Sequence, residues 1–442
     1  DTPYFQFSKG AVDSLLLICN RVWEKDAIVP LTDDIRQRII RTNDDMAKRG
    51  LRVLGIAFKP MDDLPQNIDA DDIETDLIFT GMVGMIDPPR VEVKDAVATA
   101  NQAGIRAVMI TGDHPLTAQT IAKQLNITQD DAILTGAQLA TMPLEELQQQ
   151  VERVSVYARV SPEHKLNIVH ALQNNGHIVA MTGDGVNDAP ALKRADIGVA
   201  MGITGTAVTK EASEMVILDD NFATIVQAAE EGRTIYDNVR KFVKYILASN
   251  TGEVIVLFLV QMLGMPLPLN TIQILWMNLV TDGLPALALG IEKGEPNAMK
   301  RPPHDPKEGM FARGLGGYLV RIGMLIAFVT MLVVLFVPAP EGEATNTVWG
   351  TMIFTTLVMS QMGHALAIRS ERDSIFKIGF FSNRAMLAAI GFTVVLQLIL
   401  IYTPFAQDFF GTTALSAGEL FITIGLSILT FLGVELDKWF FN

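Results

Sequence analysis

Met181-Thr-Gly-Asp-Gly-Val-Asn-Asp-Ala-Pro190 sets two carboxylates four residues apart on a glycine turn, directly after the apolar run Ile178, Val179, Ala180 and Met181. That run predicts a buried parallel strand. Gly183 and Gly185 let the chain turn tightly at the strand's carboxyl end, where open α/β sheets bind ligands. A hard cation such as Mg²⁺ takes oxygen ligands and shares them with substrate phosphate, so Asp184 is a candidate metal ligand, with Asn187 and Asp188 as polar support. An Asp/Asn/Gly turn with a helix cap accounts for many shorter Gly-Asp clusters. A cluster of ten residues outgrows that account.

The 442 residues exceed one ordinary core, and 49% hydrophobic residues with a positive mean hydropathy predict a partly membrane-embedded protein of two or more domains. A formal charge of −14, from 49 acidic and 35 basic residues, argues against nucleic acid as a partner. The single cysteine, Cys19, cannot form an internal disulfide, which suits a reducing cytosolic face. Six histidines lack zinc-ligand spacing. Asp1-Thr-Pro-Tyr has neither a basic start nor an apolar run and reads as a fragment boundary, not a signal peptide.

The chain changes character near residue 240. Before it, apolar runs such as Ala107 to Ile110 alternate with helical patterns, as in α/β domains. After it come six apolar stretches, near 243–263, 271–290, 315–337, 349–368, 384–403 and 417–436, each close to the ~20 residues of a bilayer crossing. Arg240, Lys241, Lys244, Lys293, Lys300, Arg301, Lys307, Arg313, Arg369, Arg372, Lys377 and Arg384 flank alternate ends of these stretches. Gly264 to Asn270, Pro338 to Thr347 and Pro404 to Gly418 contain no Lys or Arg. The positive-inside rule therefore puts the α/β half and both ends of the helical half in the cytosol.

Thr111-Gly-Asp-His114 follows the strand Ala107 to Ile110, so its hydroxyl and amides can meet a phosphate at the sheet edge that bears Asp184. Arg159-Val-Ser-Pro-Glu-His-Lys165 adds a cation, which suits developing phosphoryl charge but in isolation also suits a solvated helix start. In the helical half, Asn250 and Glu253 share a face of the first stretch, and Asn278, Thr281 and Asp282 share a face of the second. A carboxylate at mid-membrane costs roughly 2.5–3.5 kcal/mol, so Glu253 and Asp282 need partners, and an ion is a natural one. Gly283 and Pro285 interrupt helical hydrogen bonding and free carbonyls that can ligate cations too. Interhelical packing explains Asn250 or Thr281 singly, but poorly explains two acids and two amides together.

The string Thr182-Gly-Asp-Gly-Val-Asn-Asp-Ala-Pro190 resembles the hinge motif of P-type cation-transporting ATPases, whose phosphorylation domain belongs to the haloacid dehalogenase superfamily. Ser249-Asn-Thr-Gly-Glu253 and Asn278-Leu-Val-Thr-Asp282-Gly resemble the ion-binding helices of calcium pumps. The resemblance covers essentially all 442 residues and is nearest to the type II pumps of the sarco/endoplasmic-reticulum and bacterial calcium-ATPase kind. It implies an α/β haloacid-dehalogenase-like (Rossmann-type) phosphorylation domain with part of an α+β nucleotide-binding domain, followed by an all-α bundle of six transmembrane helices. Residues 1–77 would be the carboxyl-terminal part of the nucleotide-binding domain, 78–234 the phosphorylation domain without its phosphorylated Asp segment, and 235–442 the six-helix transmembrane domain.

Residue by residue, the resemblance implies catalytic roles around an aspartyl phosphate for Thr111, Gly112, Asp113, Lys165, Asp184, Asn187 and Asp188. ATP would meet Lys9 and Gly10 of Phe7-Ser-Lys-Gly-Ala11, Arg52 of Leu51-Arg-Val-Leu54, and Thr111, Gly112 and Asp113. Asp184 and Asp188 would bind Mg²⁺, and Asn250, Glu253, Asn278, Thr281, Asp282 and Gln361 the transported cation, Ca²⁺ being favoured and Mn²⁺ or Na⁺ the alternatives. Gln361 in Met359-Ser-Gln-Met-Gly363 departs from the two-site pumps, which carry an acid there. His364 reads as packing or solvent-facing. Asp87-Pro-Pro-Arg90 resembles the hinge between the nucleotide-binding and phosphorylation domains. No Asp-Lys-Thr-Gly-Thr motif occurs, and Asp69-Ala-Asp71 reads as an acidic loop. The chain is thus expected to be the carboxyl-terminal half of a pump, partnered by ATP, the cation, the lipid bilayer and the missing amino-terminal half, in a bacterial plasma membrane. A membrane-tethered phosphatase would need its own Asp-x-Asp nucleophile pair, which is not found. A non-catalytic nucleotide-binding fragment stays open.

Overall fold

The computed structural model describes residues 4–63, 73–86, 88–305, 307–309 and 311–441. Asp69-Ala-Asp71, and Asp87 of the proline hinge, lie outside the described residues. The chain divides into two units, Asp1–Ala228 with Met299–Pro302, which is mixed α/β, and Ala229–Ala298 with Pro303–Asn442, which is helical.

In the α/β unit, Phe5, Phe7 and Lys9 are exposed along Tyr4–Gly10 (β1) while Ser8 is buried, the period of a half-buried strand. β1 pairs antiparallel with Arg52–Met61 (β4), setting Phe7 opposite Phe58 and Lys9 opposite Ile56. Cys19–Glu24 (β2), Ala27–Pro30 (β3) and Leu77–Met85 (β5) complete a sheet of order β1-β4-β5-β2-β3. The helices Val12–Ile18 and Asp33–Lys48 cover one face of this sheet, with Val12, Leu15, Leu16, Ile39, Ala57, Leu77 and Phe79 as its core. Asp33 and Asp34 at the start of the longer helix and Lys48 at its end match the helix dipole.

Two parallel sheets follow. Met109–Ile110 (β6), Leu134–Thr135 (β7) and Val156–Ala158 (β8) pair in the order β6-β8-β7, and Ala180–Gly183 (β9), Ile197–Met201 (β10) and Met215–Ile217 (β11) in the order β11-β10-β9. Both runs expected as strands are strands, but each starts two residues late. Ile178 is 62% exposed, and Asp196 takes up Val179, its carboxylate accepting the Val179 N–H at 2.8 Å, so sheet pairing begins only at Ala180. Helices Pro115–Gln124 (α1) and Pro162–Asn174 (α2) leave the carboxyl ends of β6 and β8.

The helical unit holds most of Phe222–Met262 (α3), then Thr271–Gly290 (α4), Leu315–Phe336 (α5), Val348–Ala367 (α6), Arg384–Tyr402 (α7) and Ala417–Phe441 (α8). Among the described residues five helices are long and apolar enough to cross a membrane, namely α3, α4, α5, α7 and α8. The stretch expected near 349–368 is helical but is not among the five. It carries Thr351, Thr355, Thr356, Ser360, Gln361 and His364, all buried. With sixteen of its 20 residues buried, α6 is enclosed by other helices, so its polar groups need protein partners more than an apolar coat. α3 and α5 pack at Gly252 and Gly323, where an added Cβ would stand 2.8 Å from Ile326 and 2.6 Å from Thr251 respectively. Only glycine permits that approach beside Glu253.

Candidate functional site

The glycine turn after β9 is built by close approach. A Cβ on Gly183 would lie 2.5 Å from the Asp188 Cβ, so the turn closes only with glycine there. A 3-10 turn, Val186–Asp188, then feeds the helix Ala189–Arg194, with Pro190 in its first turn. Asp188 is buried, and its carboxylate accepts from Lys165 Nζ at 2.5 Å and from the Gly185 N–H at 3.2 Å. Lys165 stands in the first turn of α2, whose start is fixed by Ser161 as cap and by Pro162. Asp184 is exposed, and among the described residues no hydrogen bond or ion pair engages its carboxylate; its carbonyl accepts from the Thr206 N–H at 3.0 Å. Asn187 is exposed beside it. The two aspartates have therefore separated in role. Asp188 is the counter-ion of Lys165, while Asp184 is an open oxygen donor that fits a hard cation such as Mg²⁺.

A cleft of about 160 Å³ lies between the first sheet's helices and the loop after β6, lined in part by Asp13, Arg52, Gly112, Asp113, His114 and Arg159. Of the expected nucleotide contacts it gathers Arg52, Gly112 and Asp113, with Arg52 Nε 3.7 Å from Asp113 Oδ1. Lys9 and Gly10, at the end of β1, are not among its lining residues. Thr111 is spent locally: its hydroxyl donates to Asp113 Oδ2 and accepts the Asp113 N–H, both at 3.1 Å. Arg159, in a left-handed conformation with φ of 52°, pairs with Asp13 across the cleft. Partial burial raises the Asp13 carboxyl, but the Arg159 guanidinium outweighs it and holds the group below its usual value. Burial, and then the same guanidinium, lowers His114. Asp13, His114 and Arg159 were not singled out as ligands by the sequence, because nothing local marks a pairing across 146 residues.

In the helical unit Gln361 is a clamp. Its Nε2 donates to Glu253 Oε1 at 2.6 Å, and its Oε1 accepts from the Thr281 hydroxyl at 2.8 Å. Residues Met277–Thr281 form a π turn in α4, a feature frequent at functional sites, and the Asp282 N–H bonds the Met277 carbonyl at 2.9 Å. The wider turn breaks the face expected of Asn278, Thr281 and Asp282. Thr281 and Asp282 are buried, whereas Asn278 is exposed and donates to Ile274 of its own helix at 3.0 Å. Asn250 is half-buried and joins none of these hydrogen bonds. Among the described residues both carboxylate oxygens of Asp282 are buried without a hydrogen-bond partner, and the neighbouring Tyr245 hydroxyl donates instead to the Thr281 carbonyl at 3.1 Å. Tyr245 was missed by the sequence reading, although it precedes Ser249 and Glu253 at helical spacing and so shares their face. His364 is fully buried, with its Nε2 2.9 Å from the Tyr318 hydroxyl, which excludes the solvent-facing alternative. No group of three or more His, Cys, Asp or Glu gathers among the described residues, so an ion here would rely on two acids with amide, hydroxyl and carbonyl oxygens.

Two family models match the chain: the carboxyl terminus of cation-transporting ATPases over residues 266–440, and the cytoplasmic domain N of P-type ATPases over residues 1–92. A calcium-transporting ATPase of Bacillus subtilis (strain 168) is 46% identical over 98% of this chain and 48% of its own length. Calcium-transporting ATPase 1 of Saccharomyces cerevisiae is 40% identical over 92% of this chain and 43% of its own length, and calcium-transporting ATPase type 2C member 1 of Homo sapiens 38% over 99% and 45%. The chain belongs to the P-type cation-transporting ATPases. With five helices fit to cross a bilayer, it is an integral membrane protein. It spans about half the length of the curated relatives it matches. Those relatives come from bacteria, yeasts and mammals, so the bacterial plasma membrane expected from the sequence is not singled out.

Proposed function

We propose that this chain carries the ion-binding bundle and part of the phosphorylation machinery of an ATP-driven Ca²⁺ pump that works through an aspartyl phosphate. One observation carries the reading: the two Asp282 oxygens, buried without a donor among the described residues, beside the Glu253–Gln361–Thr281 chain. A dry, unpaired carboxylate calls for a cation, and the surrounding hydroxyl, amide and carbonyl oxygens suit Ca²⁺. The relatives' names point the same way.

In this reading residues 1–77 belong to the nucleotide-binding domain, 78–234 to a haloacid-dehalogenase-like phosphorylation domain and 235–442 to a six-span bundle that α6 also crosses. A single Rossmann-type sheet is supported by β6 and β9, each of which pairs on one side only among the described residues. Ile110 of β6 and Val179, just before β9, pack against the same two apolar clusters. A parallel strand inserted between β6 and β9 would join the two sheets, and its carboxyl end would reach the level of Thr111 and Asp184. The phosphorylated aspartate, in a segment these residues do not include, belongs at that strand end. Its carboxylate attacks the γ-phosphorus of ATP, forming the acyl-phosphate bond as the bond to ADP breaks. Lys165 offsets the charge that develops on the phosphoryl oxygens. Asp184 would hold Mg²⁺, which supplies further charge neutralisation at the phosphate when bound. Arg52, Gly112 and Asp113 receive the nucleotide as the ion pairs across the cleft open. The α/β unit lies on the cytosolic side, and Ca²⁺ leaves the cytosol in exchange for protons.

The test follows phosphorylation of the full-length pump by labelled ATP while single cations are added. Micromolar Ca²⁺ alone should give an acid-stable phosphoenzyme that Asp282→Asn abolishes. Triggering by Na⁺ or Mn²⁺ instead would transfer the ion assignment, and no phosphoenzyme under any ion would leave a nucleotide-binding role only.

A further inference from the structure

Between α6 and α7 the chain forms a one-turn helix, Ile375–Ile378, and turns at Gly379, whose φ of +88° suits glycine. This turn is pinned to the bundle by Arg369. The guanidinium, fully buried, binds Glu292 through two hydrogen bonds of 2.8 and 3.1 Å. It also donates to the carbonyls of Gly379 and Phe380, at 3.4 and 3.1 Å, and to the Ser382 hydroxyl. Asn383 donates to the same Glu292 at 2.8 Å and fixes the start of α7. Phe376 meets Phe431 of α8 edge-on, with ring centroids 6.4 Å apart, and Lys438 reaches the Asp373 carbonyl at 3.3 Å, so the loop lies against the last turns of α8. At 1.5 Å per residue from Ala417, Phe431 stands about 21 Å along α8, within a hydrocarbon layer ~30 Å thick.

A loop held so firmly has nowhere to fold its aromatic rings, yet Phe376 and Phe381 are each 78% exposed and Phe380 is 40% exposed. Trp439 and Phe440, at the end of α8, are exposed as well. Exposed Arg372, Lys377 and Arg384 punctuate the same segment. Lys377 shares Asp373 at 2.6 Å, whereas among the described residues no carboxylate pairs with the side chain of Arg372 or Arg384. Rings beside cations at the end of a membrane helix are the chemistry of a bilayer interface bearing negative headgroups. We infer that the segment from Arg372 to Arg384 is a lipid site in which Phe376, Phe380 and Phe381 enter the acyl layer while Arg372, Lys377 and Arg384 bind the phosphate of anionic phospholipids. The inference uses the proposed membrane placement of α7 and α8, and does not depend on which ion is carried.

The test uses the full-length protein in nanodiscs of equal phosphatidylglycerol and phosphatidylcholine. A nitroxide at Phe381→Cys, in a background freed of other cysteines, should be relaxed by oxygen and shielded from a water-soluble nickel chelate. A label at Glu341→Cys, in the loop after α5, serves as the aqueous reference. Phe376→Cys repeats the measurement should the first variant fail to fold. Nickel access equal to the reference overturns insertion, and shielding from both probes overturns it in favour of a protein cover. Native mass spectrometry of retained lipid should show phosphatidylglycerol enriched. That enrichment should fall about five-fold for each of Arg372→Gln and Arg384→Gln, the equivalent of ~1 kcal/mol per basic residue. Unchanged retention overturns the headgroup assignment.

Discussion

Asp282→Asn removes charge and keeps shape, and so isolates the unpaired carboxylate. The residue is 1% exposed, and among the described residues neither of its oxygens has a hydrogen-bond donor. A mid-membrane acid costs about 2.5–3.5 kcal/mol, whereas an unsatisfied neutral polar group costs ~1–3 kcal/mol. The ion-free variant should therefore be more stable than the parent by about 1 kcal/mol. Ca²⁺ at a hundred times its Kd should stabilise the parent by about 2.7 kcal/mol, and the variant should lose that increment. The order of stability thus inverts with calcium: the variant unfolds later in chelator and earlier in saturating Ca²⁺. Thermal unfolding in detergent, followed by tryptophan fluorescence under both conditions, reads the inversion. A variant that unfolds earlier than the parent in chelator, or that keeps the full calcium shift, would refute the reasoning.

Lys165→Ala strands the buried Asp188 and should cost about 2 kcal/mol, less than the 3–5 of a fully buried pair because Lys165 is partly exposed. Asp184→Asn should change stability by less than ~0.5 kcal/mol and lower phosphorylation by about 10²–10³; equal stability losses in denaturant for the two variants would make Asp184 structural. Arg369→Met should cost about 3–5 kcal/mol by leaving Glu292 buried and unpaired, and adding Glu292→Leu should recover most of it, as thermal unfolding of both variants will show. The Asp220 carboxyl is raised by partial desolvation but held at about 2 by the N–H groups of Ile203 and Thr204 and by the Thr204 hydroxyl. Because this folded value is depressed from 3.8, its contribution is complete above about pH 4 and is lost as pH falls through 2. Amide exchange at Ile203 and Thr204, corrected for intrinsic rate, should accelerate over that window, and a flat profile would contradict it.

The turn after β9 was legible because its logic is local: an apolar strand, a glycine, Gly183, where a side chain would strike Asp188, then a proline-started helix. So was the alternation of strands and helices before residue 240. Distances across the chain were not. Arg159 meets Asp13 because two separate elements converge, and neither residue has a neighbour in sequence that announces the other. Helical periodicity also misled at Asn278, since it assumes 3.6 residues per turn and the π turn Met277–Thr281 does not keep that count. At α6 the length and apolar content of the stretch marked a bilayer crossing, but they could not show that its threonines, serine and glutamine belong to a helix enclosed by others. Gln361, expected as a cation ligand and as a departure from an acidic position, joins Glu253 to Thr281.

The enclosed helix bears on biogenesis. An insertion machinery that samples hydrophobicity one segment at a time meets in Val348–Ala367 a sequence below the threshold its neighbours pass. On a six-span arrangement, this segment enters the bilayer as the second arm of a hairpin with Leu315–Phe336, against which it packs through Trp349, whose indole N–H reaches the Val334 carbonyl at 3.3 Å. Glycosylation mapping of nascent chains should find residues 348–367 inserted efficiently behind 315–336 and poorly alone; efficient insertion in isolation would remove the need for an escort.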